Sequence, residues 1–319
     1  MNIISFLKLV EIQTKVASQI PFLLGTTYAL YRYNTFDYKN FILLFISLLS
    51  FDMATTAINN YIDYKKAIKK HGFGYETHNA IVNYRLKEST VQITIGVLIT
   101  IAISFGIVLF LNTNLVILFL GVLSFLVGVL YSFGPIPISR MPLGEIFSGI
   151  FMGFIISFIS IYIHIYDKGV ATILLQGSSI HISFNMVDIV NIFLVSLPAV
   201  VGIANIMLAN NICDIDDDIH NKRYTLPIYI GKEKALNLFK YLYYILYMDI
   251  IVLVLLRRLP LVSLLVLITF VPVKKNIDKF FQKQTKKDTF IIAVKNFVLV
   301  NIINIFCIII GYILTVIFA

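Results

Sequence analysis

Nine apolar stretches follow one another along the 319-residue chain, at about 14–31, 40–62, 91–111, 114–132, 144–165, 189–210, 238–257, 259–273 and 290–318. A helix needs roughly 20 apolar residues to cross the hydrocarbon core of a bilayer, so each stretch reads as a membrane span. The eighth is short, begins near Pro260 and follows its neighbour after only Arg257, Arg258 and Leu259, which predicts a tight helical hairpin. Charged residues make up 13% of the chain. That is about half the ~25% usual in a soluble domain, too little to coat a soluble surface of this size. No series of ten-residue segments alternates with period two, which argues against a membrane β-barrel. The expected fold is all-α: a polytopic bundle of about nine transmembrane helices forming one integral membrane domain over 1–319.

The net charge of +9 would point to nucleic acid in a soluble protein. Here the basic residues fall between spans, where they set topology and meet anionic head groups. With the N-terminus in the cytoplasm, 21 of the 26 Lys and Arg residues lie on the cytoplasmic side, and only Arg32, Lys39, Lys168, Arg257 and Arg258 lie outside. The expected location is therefore a cell membrane, crossed many times, with the C-terminus outside. The bilayer is the expected partner; no nucleic acid is expected and no protein partner can be inferred. The first ten residues carry one Lys and no small-residue cleavage site, so no cleaved signal peptide is expected. Cys213 and Cys307 lie in or beside apolar runs and read as neither a disulfide nor metal ligands.

Two connections, from Asp63 to about Thr90 and from Asn210 to about Leu236, are longer than a bare link needs, and loops of that kind usually carry function. Asn59-Asn60-Tyr61-Ile62-Asp63 leads into the first and Asn210-Asn211-Ile212-Cys213-Asp214 into the second, so that Asn-Asn-x-x-Asp recurs after 151 residues. Each copy closes an even-numbered span. This predicts an internal duplication with halves of about 1–140 and 141–319. On an unbroken helix, residues three, four and seven apart share a face. Asn59 then faces the same way as Asp63, and Asn211 the same way as Asp214 and Asp218. Two such faces meeting in the bundle would line a cavity with hard oxygen ligands, which suit Mg2+. Mg2+ keeps waters and binds substrate phosphates through a few carboxylates, so the expected anion is a diphosphate. Lys65, Lys66, Lys69, Lys70, Arg85 and Lys87 follow the first cluster, and Lys222 and Arg223 the second.

These residues resemble a known family. Asn59-Asn60-x-x-Asp63 and Asn211-x-x-Asp214-x-x-x-Asp218 look like the two Asp-rich motifs of the UbiA superfamily of intramembrane prenyltransferases. The run 214–227, with Ile230-Gly231 after it, is similar to that family's second motif and its continuation. Tyr131-Ser132-Phe133-Gly134-Pro135-Ile136-Pro137, Gly144-Glu145 and Asn79-Ala80-Ile81-Val82 resemble segments of the branch that acts on 1,4-dihydroxy-2-naphthoate. The resemblance implies Mg2+-dependent transfer of a polyprenyl group from polyprenyl diphosphate to an aromatic acceptor. For this branch the acceptor is 1,4-dihydroxy-2-naphthoate, giving demethylmenaquinone with release of diphosphate and CO2. It implies catalytic roles for Asp63, Asp214 and Asp218, and metal binding by Asn59, Asp63, Asn211, Asp214 and Asp218. It also implies substrate contacts from Arg85, Lys222, Arg223, Tyr131 and Asn60, with the Tyr131 ring facing the allylic cation. A sister enzyme with another acceptor (4-hydroxybenzoate, or a haem or chlorophyll precursor) and a secondary transporter for an anionic solute remain alternatives. The chain departs from the family pattern at Asn60, a position usually acidic, at Ala67, often acidic, and at Asn83, often Arg. An Asn60→Asp substitution is accordingly expected to be tolerated.

The charge asymmetry makes sidedness testable. In a background lacking Cys213 and Cys307, a cysteine at Asn221 is expected to react only with thiol reagents that enter the cytoplasm, and one at Gly169 with reagents applied outside. Labelling of the Asn221 site from outside would reverse the orientation.

Overall fold

The computed structural model describes residues 1–66, 79–132 and 137–318. Ala67, Lys69 and Lys70, and the Phe133, Gly134, Pro135 and Ile136 of the fourth connection, lie outside the described residues. In lipid an apolar segment must satisfy its own backbone groups, and a helix does so within itself. The chain accordingly runs through α1 (Ile3–Leu9), α2 (Val16–Tyr33), α3 (Tyr38–Lys66), α4 (Ala80–Asn83), α5 (Glu88–Asn112), α6 (Leu115–Ser132) and α7 (Gly144–Ile165). A hairpin of β1 (Ala171–Gln176) and β2 (Ser179–Phe184) follows. Then come α8 (Met186–Cys213), α9 (Ile215–His220), α10 (Leu226–Ile230), α11 (Lys232–Leu255), α12 (Phe270–Gln282) and α13 (Ile291–Phe318).

Each of the nine expected spans coincides with helix. Among the described residues six helices (α3, α5, α7, α8, α11 and α13) are long and apolar enough to cross a membrane, and α6 is a shorter apolar helix. The eighth expected span starts as a 3-10 helix, Leu261–Thr269, and continues as α12 to Gln282. The hairpin was not anticipated. Its strands pair antiparallel from Ala171 with Phe184 to Gln176 with Ser179. Gly177 supplies the left-handed φ of 60° that its two-residue turn requires.

Contacts divide the chain into two units, Met1–Gln19 with Ile42–Thr113, and Ile20–Phe41 with Asn114–Ala319. In the first, α3 carries Asp52, Thr56, Asn59 and Asp63 at spacings of four, three and four, a single helix face. Lys15, only 3% exposed, donates to an Asp52 carboxylate oxygen and to Thr56 Oγ1, both at 2.6 Å. Ser18 donates to the other Asp52 oxygen at 2.5 Å. Asn60 points elsewhere. Its side-chain amide donates to the Leu9 carbonyl at 2.9 Å and to Glu11 Oε1 at 3.3 Å, and its backbone carbonyl accepts from Asn79 Nδ2 at 2.8 Å. Asn60 thus ties the end of α1 and the start of α4 to α3.

In the second unit α7 packs against α8 at backbone distance. A Cβ on Gly153 would stand 2.5 Å from Val200 Cα, an approach that only glycine permits. Residues Gly149–Ile155 form a π-helical turn at this contact. Leu208, Ile212, Phe239, Tyr243, Phe280 and Val300 belong to one buried cluster that joins α8, α11, α12 and α13.

The bonds of Asn60 overturn the expectation that Asn60→Asp is harmless. An aspartate would lose both donors and face the Glu11 carboxylate and the Leu9 carbonyl. Asn60→Asp is expected to lower stability by about 1–3 kcal/mol, read as an earlier thermal unfolding in detergent, and Glu11→Gln added to it to restore part of the loss. Unchanged unfolding of Asn60→Asp would remove the role assigned to this side chain.

Candidate active site

The second motif is built on a break between two helices. α8 ends at Cys213, and Asp214, with φ −103° and ψ 10°, is at once the last cap of α8 and the first of α9. Asn211, Asp214 and Asp218 therefore do not share the face of an unbroken helix, and their side chains take three directions. Asn211, fully buried, donates from Nδ2 to Glu145 Oε1 at 2.8 Å. Glu145 on α7 is itself only 5% exposed. Neither Glu145 Oε2 nor Asn211 Oδ1 has a hydrogen-bond partner among the described residues. One turn earlier on α8, Met207 Sδ accepts from the Tyr131 hydroxyl at 3.2 Å. Tyr131 and Glu145 thus approach the same face of α8.

Asp214 is drawn instead to a cation. Lys286, in the connection between α12 and α13, donates to Asp214 Oδ2 and, at 2.5 Å, to Asn210 Oδ1. Asn210 is one helical turn before Asp214, with its Nδ2 3.4 Å from the same Oδ2. Asp218 is buried and accepts from Thr225 Oγ1 at 3.1 Å, while its other oxygen lies 3.3 Å from Arg223 Nε. Burial holds the Asp218 carboxyl above the usual carboxylate range, and Arg223 and Thr225 pull it back down. The backbone sets up this pair. Lys222 adopts φ 52° and reverses the chain after α9, so that the Arg223 amide donates to the Asp218 carbonyl at 2.8 Å. Arg223 thereby returns over Asp218, and Lys222, Asp216 and Asp217 are left exposed.

In the first unit Asn59 and Asp63 stand exposed near the end of α3. Lys65 is paired with Glu88 at 2.5 Å. Arg85, with φ 48°, is exposed and lines a shallow pocket of about 410 Å³ together with Met1, Asn2 and Lys87. Two residues that the motif reading did not put in the site belong to it geometrically. Glu145 carried a signal, since an acid inside an apolar run is expensive and seldom idle. Lys286 carried none, being one of several lysines in a basic connection.

Among the described residues, no three His, Cys, Asp or Glu side chains group closely enough to hold a metal by themselves. The donors nonetheless suit Mg2+. The Asp214 carboxylate and the Asn210 carboxamide converge on one cationic centre, the Lys286 ammonium. Mg2+ asks a protein for one or two carboxylates and takes its other ligands from water and phosphate.

The chain matches the UbiA prenyltransferase family over residues 18–315. It is 30% identical over 228 residues to the 1,4-dihydroxy-2-naphthoate octaprenyltransferase of Bacillus subtilis (strain 168). That match covers 70% of this chain and 65% of the Bacillus enzyme, less than two thirds of its length. The fold is similar to that of a UbiA homolog from Archaeoglobus fulgidus bound to GPP and Mg2+, with a TM-score of 0.62 and 12% identity over 96% of this chain and 99% of that one. It is also similar to the apo structure of a UbiA homolog from Aeropyrum pernix K1, with a TM-score of 0.62 and 18% identity over 93% and 98%. At these identities the structural likeness concerns the fold alone. With its apolar helices, its paired Asn-Asn-x-x-Asp sequences and a family match spanning nearly its whole length, this chain is a multi-pass membrane protein of the UbiA prenyltransferase family.

Proposed function

We propose that this protein transfers a polyprenyl group from polyprenyl diphosphate to 1,4-dihydroxy-2-naphthoate, releasing diphosphate and CO2 and forming demethylmenaquinol, the reduced form of demethylmenaquinone. The observation that carries the reading is the convergence of Asp214 and Asn210 on a single cation, beside a buried carboxylate, Asp218, that is paired with Arg223. Asp214 and Asp218 in the second motif, and Asn59 and Asp63 in the first, are assigned to hold Mg2+, with Asn210 beside Asp214. When bound, Mg2+ offsets the charge that gathers on the diphosphate as the allylic C–O bond breaks. Arg223 and Lys222 are assigned to the phosphate oxygens, where a fixed cation favours the leaving group. Tyr131 is assigned to the allylic centre, where its ring face is attracted to developing positive charge. The electron-rich ring carbon then forms the new C–C bond, and loss of its carboxylate as CO2 restores aromaticity. The acceptor assignment is supported by the likeness to the Bacillus enzyme. The motif side of the membrane is assigned to the cytoplasm, a reading supported by the excess of Lys and Arg in the loops on that side.

Purified full-length protein, given Mg2+, a polyprenyl diphosphate and 1,4-dihydroxy-2-naphthoate, is expected to yield the prenylated, decarboxylated quinol by mass spectrometry. Product from 4-hydroxybenzoate instead would move the acceptor to a sister branch, and no prenylated product from any acceptor would end the reading. Asp214→Ala and Asp218→Ala are each expected to slow turnover by more than about tenfold, a loss of at least about 1.4 kcal/mol of barrier stabilisation. A variant that folds and keeps more than that does not serve the metal.

A further inference from the structure

Lys286 is presented by a loop that is braced at both ends. The Thr285 amide donates to Thr289 Oγ1 at 2.8 Å, and the Phe290 amide to the Thr285 carbonyl at 3.1 Å. Gln284 Nε2 donates to the carbonyls of Phe280 and Phe281 at 2.5 and 2.8 Å, anchoring the loop to a helix whose Phe280 is fully buried. Within the loop, Lys283 is bonded to Asp288 at 2.8 Å, and it holds the Asp288 carboxyl below the usual carboxylate range. Lys286 reaches from the loop onto the second motif, its ammonium passing 5.6 Å from the Phe290 ring centroid. Its side chain is 51% exposed, so the ammonium can leave Asp214 without uncovering any core.

We propose that Lys286 is a built-in cation that occupies the Asp214–Asn210 oxygens until a divalent metal displaces it, so that it sets how tightly the resting site binds metal. The inference rests on the diphosphate-binding role assigned above to the second motif. An ammonium and a metal dication compete for the same two oxygens, and at such separations they repel one another. Metal arriving alone must expel Lys286 into water. Metal arriving with a diphosphate gives the displaced ammonium an anion beside it. The lysine therefore disfavours metal alone and favours metal together with diphosphate, which makes the two ligands bind cooperatively.

Calorimetric titration of Mg2+ alone into the purified full-length protein is the first test. Lys286→Met is expected to tighten Mg2+ binding about tenfold, because it removes the competing charge, whereas Lys286→Arg stays near wild type. With inorganic diphosphate present the advantage of Lys286→Met shrinks or reverses. The second test uses the unaltered chain. Acylation of Lys286 by an amine-reactive reagent, followed by mass spectrometry, is expected to speed up on adding Mg2+, while acylation of Lys283 does not change. Unchanged or weaker Mg2+ affinity in Lys286→Met, or acylation of Lys286 that ignores Mg2+, overturns the proposal. If Asp214→Asn still abolishes binding of Mg2+ with diphosphate, the functional reading survives that outcome. Wild-type protein that binds no Mg2+ even with diphosphate ends both.

Discussion

Lipid offers no partner to a charge or an amide, and a charged side chain at the centre of a membrane helix costs about 2.5–3.5 kcal/mol even on the milder scales. Several polar side chains in and beside this protein's apolar helices are paired in keeping with that constraint. Lys15 is held by Asp52 and Thr56, Asn211 by Glu145, and Asn276 by Asn296. Asn301 donates to the carbonyls of Pro198 and Phe297. Removing one member of such a pair leaves the other uncompensated, which costs more than the pair contributes. The pairs therefore hold helices in one register, and the side chains of the second motif can be presented at a helix end because α7 and α8 are already locked by Gly153 and by Asn211 with Glu145.

From that lock the site follows by two changes of backbone direction. At Asp214 the helix stops, and three aspartates in the first turn of α9 complement the partial positive charge of its amides. At Lys222 a left-handed residue returns the chain so that Arg223 meets Asp218. The result separates three oxygen-bearing side chains that a continuous helix would have stacked. Asn211 serves packing with Glu145, Asp218 is held by Arg223 and Thr225, and Asp214 is left for a cation. The cation that meets it in the structure is the Lys286 ammonium.

The spans were legible because their signal is length and hydropathy, which lipid imposes directly. The Asn-Asn-x-x-Asp sequences were legible because carboxylates beside long apolar runs need a reason. What the sequence could not give was direction. In the motif Asn60 reads as a substrate contact and Asn211 as a metal ligand; the Asn60 amide is engaged by Leu9 and Glu11, whereas Asn211 donates from Nδ2 to Glu145 and keeps Oδ1 without a hydrogen-bond partner among the described residues. Helical periodicity fails at Asp214 because the helix breaks there, and a break one residue past Cys213 has no proline or glycine to announce it. Lys286 lies 72 residues from Asp214, and no local pattern distinguishes it from the lysines that set topology. The β-hairpin was hidden because its alternation is only a few residues long.

In the proposed reaction Asp214 helps hold a divalent cation that also carries the diphosphate. Electron paramagnetic resonance of Mn2+ in place of Mg2+, with inorganic diphosphate, reads this directly through the coupling between the metal and the phosphorus nuclei. Protein-bound Mn2+ coupled to 31P is expected in the wild-type chain, with loss of that bound species in Asp214→Asn. Bound, phosphorus-coupled Mn2+ that persists unchanged in Asp214→Asn would rule out that role for Asp214.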